Sequence, residues 1–195
     1  METQALEPNN TDMPSAVLKS EHKVILRVLV VLDRLATRFE NREGFEREAL
    51  GRCVEFFRLF ADACHHAKEE DLLFPALESR GIPREGGPIG VMLQEHTVAR
   101  RHTAEMGAAL DAVGAGDAGG EGRFVDAARA YIELLTNHIY KEDNVLFNMG
   151  DQVLSASDQE SLCAKFGEVG CRAFGGKSKR QLEAIADELE VKWPA

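Results

Sequence analysis

The 195-residue sequence lacks the features that mark membrane, secreted and nucleic-acid-binding proteins. It has no apolar run of about 18 residues, so no segment is expected to cross a membrane. Its first residues lack the charged start and apolar core of a secretory signal. The net charge is −10, from 23 basic and 33 acidic residues. This acidic balance argues against nucleic acid or an anionic membrane as a partner.

The sequence also lacks any C-x-x-C pair, because its four cysteines lie far apart at positions 53, 64, 163 and 171. A structural zinc site or a disulfide framework is therefore not expected, and the reducing cytoplasm is the default location. Cys163 and Cys171 could form a redox pair, although small buried hydrophobic residues are the commoner role. A chain of this length most simply forms one domain.

Strand-like alternation is absent as well, and apolar residues instead recur at helical spacing. We predict an all-α fold with four main helices, at residues 15–39, 45–78, 89–113 and 124–149, and a flexible glycine-rich turn at 114–122. Residues 1–14 are predicted to form a disordered leader, 15–150 a four-helix bundle, and 151–195 a C-terminal extension packed on it. In that extension a Ser157/Glu160 capping box begins one helix, which ends at Gly170, and 179–191 forms another.

One stretch occurs twice. HHAKEEDLLFP at residues 65–75 matches HIYKEDNVLFN at 138–148, 73 residues later. LKSEHKVILR around His22 matches MLQEHTVARR around His96, 74 residues later. The first two helices therefore repeat as the last two, which predicts an antiparallel up-down bundle of two similar hairpins.

The repeat also predicts a metal site. His and Glu four residues apart share one helix face. At about 1.5 Å per residue, all four histidines lie about 21 to 30 Å from the turn that joins the two helices of their hairpin, and therefore in one layer of the bundle. Burying such groups without a partner would cost several kcal/mol per charged group, and a metal supplies the partner. The predicted ligands are His22, His65, Glu69, His96, His138 and Glu142. Two ions suit six ligands better than one, and the ligand types fit iron, manganese or zinc.

These motifs resemble those of the bacterial hemerythrin-like (HHE cation-binding) proteins over about residues 15–150. The resemblance implies two non-haem iron ions, bridged by carboxylate and by an oxo or hydroxo group. It implies binding of O2 or NO at that centre. The alternatives are a redox enzyme that reduces NO, decomposes peroxide or repairs iron–sulfur clusters, with a reductase as possible partner, and an iron storage or sensing protein. Whether the chain is an enzyme stays open.

The ligand set contains two ambiguities. His66 with Glu70 is a second pair at the same spacing, and we favour His65 because Ile139 aligns with His66 in the repeat. Asp143 is the alternative to Glu142, because the oxygen-carrying hemerythrins of marine worms use an Asp at that position. Those carriers also have a fifth His one turn after the third-helix ligand, where this chain has Arg100. One iron is therefore expected to keep an open position.

Several neighbours of the predicted ligands carry charged or hydroxyl groups. Glu21 and Glu95 each precede a ligand histidine, and Glu70 and Asp143 each follow a ligand glutamate. They could orient the ligands, but solvated helix faces are the simpler interpretation. Tyr140 could act on a bound ligand, although a packing role is commoner for tyrosine.

Overall fold

A computed structural model describes residues 13–170 and 172–194, and these are almost entirely helical. The prediction of an all-α chain is confirmed, with two short strands as the exception. The elements are α1 (Pro14–Glu40), α2 (Arg47–Phe56), π1 (Phe57–His66), π2 (Glu69–Leu73), α3 (Phe74–Ser79), α4 (Pro88–Gly114), α5 (Gly120–Lys141), π3 (Glu142–Leu146), α6 (Phe147–Val153), α7 (Ala156–Gly170), β1 (Ala173–Phe174), β2 (Lys177–Ser178) and α8 (Lys179–Lys192). Most of the predicted leader, and Cys171, lie outside the described residues.

Four helical arms carry the predicted ligands. The first arm is α1, the second runs from α2 to α3 (residues 47–79), the third is α4, and the fourth runs from α5 to α6 (120–153). We call the first two arms the first hairpin and the last two the second hairpin. The arms pack on one another both within and between the hairpins, through contacts of α1 with α2 and α5, of α4 with α5, and of π1 with both α1 and α4.

The second and fourth arms are not regular α-helices where the predicted ligands lie. His65 is in π1, Glu69 begins π2 and Glu142 begins π3. A π-helical turn changes which side chains share a face, and such turns are frequent at functional sites. Helical periodicity alone does not signal these turns, so the sequence predicted continuous α-helices.

Local sequence explains how the arms begin and end. Pro14 and Pro88 occupy the first turns of α1 and α4, where a missing backbone N–H costs nothing. Between the second and third arms, Gly81 and Gly86 have φ values of 91° and 66°. This left-handed backbone suits glycine, which has no Cβ to clash.

Two predicted features differ from the structure, the end of the glycine-rich turn and the cap of α7. The glycine-rich turn is shorter than predicted, because α5 already begins at Gly120. The capping contacts of α7 come from Ser155 and Asp158 rather than from Ser157 and Glu160. A full capping box, formed by Ser178 and Gln181, instead begins α8.

The apolar core forms two clusters that flank the predicted ligands along every arm. On α1, Leu18 belongs to one cluster and Ile25 to the other, with His22 between them. On α4, Met92 and Ala99 flank His96 in the same way. Helix α8 packs into the larger cluster, while Leu162 and Phe166 of α7 pack into the smaller one. The polar ligands therefore lie in a layer between two dry apolar regions.

Candidate metal centre

The four arms bring all six predicted ligands into the buried layer, where each is at most 1% exposed. Two groups of side chains have ligand atoms within 4.8 Å of one another and could each hold a metal ion. The first group is His22, His65, Glu69 and Glu142, and the second is His66, Glu69, His96 and His138. The first hairpin therefore supplies both histidines of the first group, and the second hairpin supplies His96 and His138 of the second group. Glu69 belongs to both groups.

The two carboxylates lie between the two histidine pairs. Oε1 of Glu69 is 3.5 Å from Nε2 of His65, and its Oε2 is 3.5 Å from Nε2 of His96. One oxygen of Glu142, Oε2, is 3.3 Å from Nε2 of His22 and 3.2 Å from Nε2 of His138. Each carboxylate thus faces one histidine of each hairpin. Glu69 does so with both oxygens and belongs to both groups, whereas Glu142 uses one oxygen and belongs to the first group alone.

Every predicted ligand histidine turns its other ring nitrogen, Nδ1, toward a carboxylate. An ionised carboxylate can only accept a hydrogen bond, so Nδ1 carries a hydrogen, and in the neutral ring Nε2 keeps its lone pair for the layer. This arrangement fixes the tautomer and the ring orientation that a metal ligand needs. The four pairs are His22 with Asp143 at 2.8 Å, His65 with Glu21 at 3.0 Å, His96 with Glu70 at 2.7 Å, and His138 with Glu95 at 2.9 Å.

The interpretation of these four acids as solvated charges is therefore wrong. Glu21 is fully buried, at 1% exposure, and Glu95 is 17% exposed. Neither acid pairs with the histidine that follows it, because adjacent residues of a helix point about 100° apart. Instead Glu21 reaches across to His65 and Glu95 reaches across to His138.

Lysine side chains form ion pairs with two of these acids, Glu21 and Glu95. Lys68, also 1% exposed, donates to Glu21 and lies 3.5 Å from the sulfur of Cys64. Lys179, from α8, approaches the same carboxylate at 2.8 Å. In the second hairpin Lys141 donates to Glu95. These cations compensate part of the negative charge that the acids bring to the layer.

Burial and charge shift the pKa values of the two central acids in opposite directions. Burial, together with the charge of Glu142, raises the pKa of Glu69 well above its ordinary value. Burial alone would also raise the pKa of Glu142, but His138 and His22 outweigh it and lower that pKa well below its ordinary value. Two buried carboxylates in the same group of ligands repel each other unless a cation or a proton lies between them.

The pKa values of the four predicted ligand histidines are also shifted in opposite directions, two down and two up. Burial lowers the pKa of His65 to about 4 and lowers the pKa of His96. Burial opposes protonation of His138 too, but the charge of Glu142 and the hydrogen bond to Glu95 raise its pKa to about 9. The pKa of His22 is raised, despite burial, by Asp143 and Glu142.

Unsatisfied atoms show that the layer fits a cation. Among the described residues, Nε2 of His22 and His65 and both oxygens of Glu69 and Glu142 are buried without a hydrogen-bond partner. Nε2 of His96 lies 3.1 Å from Nε2 of His138, and with Nδ1 of each ring turned to a carboxylate this contact needs either an extra proton or an ion. Such an arrangement is costly without an ion, and nitrogen and oxygen donors suit iron, manganese or zinc.

The structure also places the residues that the sequence left ambiguous. His66, set aside as the alternative to His65, is buried in the second group. Arg100 donates to Asp62 and Glu70 at the edge of the layer. Tyr140 is 67% exposed, and His102 pairs with Glu105 outside both groups. The repeat could not reveal His66, because its counterpart is Ile139.

Residues 13–149 match the family described as the Hemerythrin HHE cation binding domain. The chain belongs to this family. The match covers both hairpins of the hemerythrin domain and ends inside α6, so α7 and α8 lie beyond it. The resemblance inferred from the repeated motifs is confirmed.

Among curated proteins, this hemerythrin-family chain is 27% identical over 158 residues to proteins of Mycobacterium bovis and of two Mycobacterium tuberculosis strains, each called an uncharacterized protein. The alignment covers 81% of this chain and 61% of each relative. The chain thus spans about three fifths of their length. No solved structure gives a significant match.

Proposed function

We propose that the chain is a non-haem di-iron protein that binds O2 or NO. His22, His65, Glu69, His96, His138 and Glu142 would hold two iron ions, and the four arms would form the antiparallel four-helix bundle of the family. The observation that carries the proposal is the set of buried atoms without a hydrogen-bond partner, Nε2 of His22 and His65 and the oxygens of Glu69 and Glu142. They lie in a layer whose two groups of candidate ligands share Glu69. Family membership supports a cation, and the resemblance favours iron over manganese or zinc.

The protein groups would bind and orient the ions in this scheme. The histidine pair of each hairpin would hold one ion, with the Nδ1 hydrogen bonds keeping each Nε2 lone pair directed inward. Glu69, which faces both pairs, would contact both ions. When bound, the iron pair supplies a redox-active centre to which a small gas can coordinate. Carboxylate ligands also lower the net charge of two such cations in a dry layer.

The surroundings of the layer favour a small ligand. The His22 ring stacks on Phe147 with ring centres 5.6 Å apart, and His96 stacks near Phe74 at 5.9 Å. Both phenylalanines belong to the smaller apolar cluster, which excludes water from this end of the layer. A diatomic gas, or peroxide, fits such a site better than a large organic substrate does. The net charge of −10 gives no support to nucleic acid as a partner.

Metal analysis and an absorption spectrum of protein purified without oxygen test this proposal. We expect two irons per chain, and a spectral change on adding O2 or NO that reverses when the gas is removed. Repeated consumption of NO in the presence of an added electron donor, or of peroxide without one, would instead identify a redox enzyme. Ready loss of iron to a chelator, with the helices intact, would identify an iron-handling protein. Less than one metal per chain would contradict the proposal.

A location in the cytoplasm stays a prediction. Of the helices described, none combines the length and apolar character that a bilayer crossing requires. The division into residues 1–14, 15–150 and 151–195 also stays a prediction.

A further inference from the structure

We propose that His66 is a fifth imidazole ligand, at the metal position formed by Glu69, His96 and His138. This inference rests on the proposed function, since it requires that the layer hold metal. It adds one ligand to the six that the repeat predicts, and it makes the two metal positions unequal. One position would have two imidazoles, and the other three.

The position of His66 carries the first step. Its side chain is buried, and its ring lies parallel to that of His96, with centres 3.8 Å apart and 15° between the planes. Its centre is 5.8 Å from that of His138. A ligand atom of His66 falls within 4.8 Å of those of Glu69, His96 and His138. His66 therefore reaches the same point as the histidine pair of the second hairpin.

The orientation of His66 carries the second step. Its Nδ1 lies 3.4 Å from Oδ1 of Asp62, so His66 turns the same nitrogen to a carboxylate as the four predicted ligands do. This leaves Nε2 as the nitrogen available to an ion. Arg100 donates both to Asp62 and to Glu70, the acid behind His96. One arginine thus anchors the carboxylates that orient two adjacent imidazoles.

The repeat carries the third step. His66 aligns with Ile139, which is also buried, so an apolar side chain is enough to fill the equivalent place in the second hairpin. A buried imidazole costs more than isoleucine unless its nitrogens find partners. A metal ion at Nε2, together with Asp62 at Nδ1, would supply a partner for each ring nitrogen of His66.

The number of bound imidazoles can be counted directly in the full chain loaded with cobalt(II) alone. Each imidazole bound through Nε2 keeps its hydrogen on Nδ1, and the paramagnetic ion shifts that N–H signal far from the rest of the proton NMR spectrum. We expect five such signals from the wild type, one for each histidine paired with a carboxylate in the layer. We expect His66→Leu to lose one signal, and to release one of its ions to a chelator at least about tenfold faster.

His102→Leu is the matched control, because His102 also pairs Nδ1 with a carboxylate but lies outside both groups. It should keep every shifted signal and both ions. His66→Ala guards against a folding defect: added imidazole should restore the slow release, whereas benzene, which fills the same space without a nitrogen, should not.

The outcomes separate this inference from the proposed function. Two ions with only four shifted signals in the wild type, and unchanged release from His66→Leu, would overturn the role of His66 and leave the proposed function standing. Rescue of His66→Ala by benzene would also overturn it, because packing alone would then explain the residue. A wild type that binds no metal would overturn both.

Discussion

Each hairpin contains the same series of contacts, from a histidine to a glutamate to a lysine, but in different surroundings. In the first hairpin Glu21 accepts from His65 and Lys68, and all three side chains are about 1% exposed. In the second hairpin Glu95 accepts from His138 and Lys141, yet Glu95 is 17% and Lys141 37% exposed. The internal repeat therefore extends from the predicted ligands to the groups that orient them.

The C-terminal helix accounts for much of the difference. Helix α8 packs on α1, α2 and π1 of the first hairpin, and its Lys179 adds a second cation to Glu21. A buried ion pair is costly to break, whereas an exposed pair contributes little. We infer that equivalent substitutions in the two hairpins have unequal effects, and the predictions below test that inequality.

The largest effect is expected at the central acids. Glu69→Gln should lose both metal ions, because Glu69 belongs to both groups. Glu142→Gln should lose mainly the ion held by His22 and His65, because only that group includes Glu142. Metal content per chain, measured after removal of free metal, distinguishes the two variants.

Circular dichroism of both variants controls for folding, since amide for carboxylate keeps the size of the side chain. Equal metal content in Glu69→Gln and Glu142→Gln would contradict the unequal sharing of the two acids. It would favour a symmetric centre in which each carboxylate serves both ions alike.

The second effect concerns stability without metal. Glu21→Ala should lower the free energy of unfolding by about 3–5 kcal/mol, because it leaves Lys68 buried without its carboxylate. Glu95→Ala should lower it by less, about 1–3 kcal/mol, because Lys141 can turn to water and only the buried Nδ1 of His138 loses its partner. Urea unfolding of the metal-free chains measures both values.

A double variant sharpens this comparison. In Glu21→Leu/Lys68→Met both buried charges are gone, so much of the lost stability should return. If Glu21→Ala and Glu95→Ala cost the same, the burial of the first hairpin under α8 has no energetic consequence.

The sequence also contained a signal for the acids and lysines around the predicted ligands. Glu before His and Lys three residues after His occur in both hairpins, at 21 and 95 and at 68 and 141. These matches signal the orienting groups as clearly as they signal the predicted ligands. A solvated face is the simpler interpretation of Glu21 and Glu95 because sequence neighbours on a helix diverge. Only the fold shows that each of the two reaches a histidine on the next arm.

Other features left no such signal. The repeat favours positions that both hairpins share, so it set aside His66, whose counterpart is Ile139. Helical periodicity predicted the arms but not the π-helical turns, which depend on how side chains pack against the other arms. The contact of Lys179 with Glu21 joins residues 158 positions apart, and it arises only when α8 packs on the first hairpin.

The smallest effect is expected at the outer lysines. In Lys179→Ala, Glu21 still pairs with Lys68. The free energy of unfolding should therefore fall by less than about 1 kcal/mol. Because Glu21 orients His65, release of the ion at His22 and His65 to a chelator should still become a few-fold faster, below the tenfold or more typical of losing an orienting group outright. Lys141→Ala should leave release from both positions unchanged, because Glu95 keeps its contact with His138 and faces solvent. Faster release from Lys141→Ala than from Lys179→Ala would reverse the comparison and give the second hairpin the larger part in retaining metal.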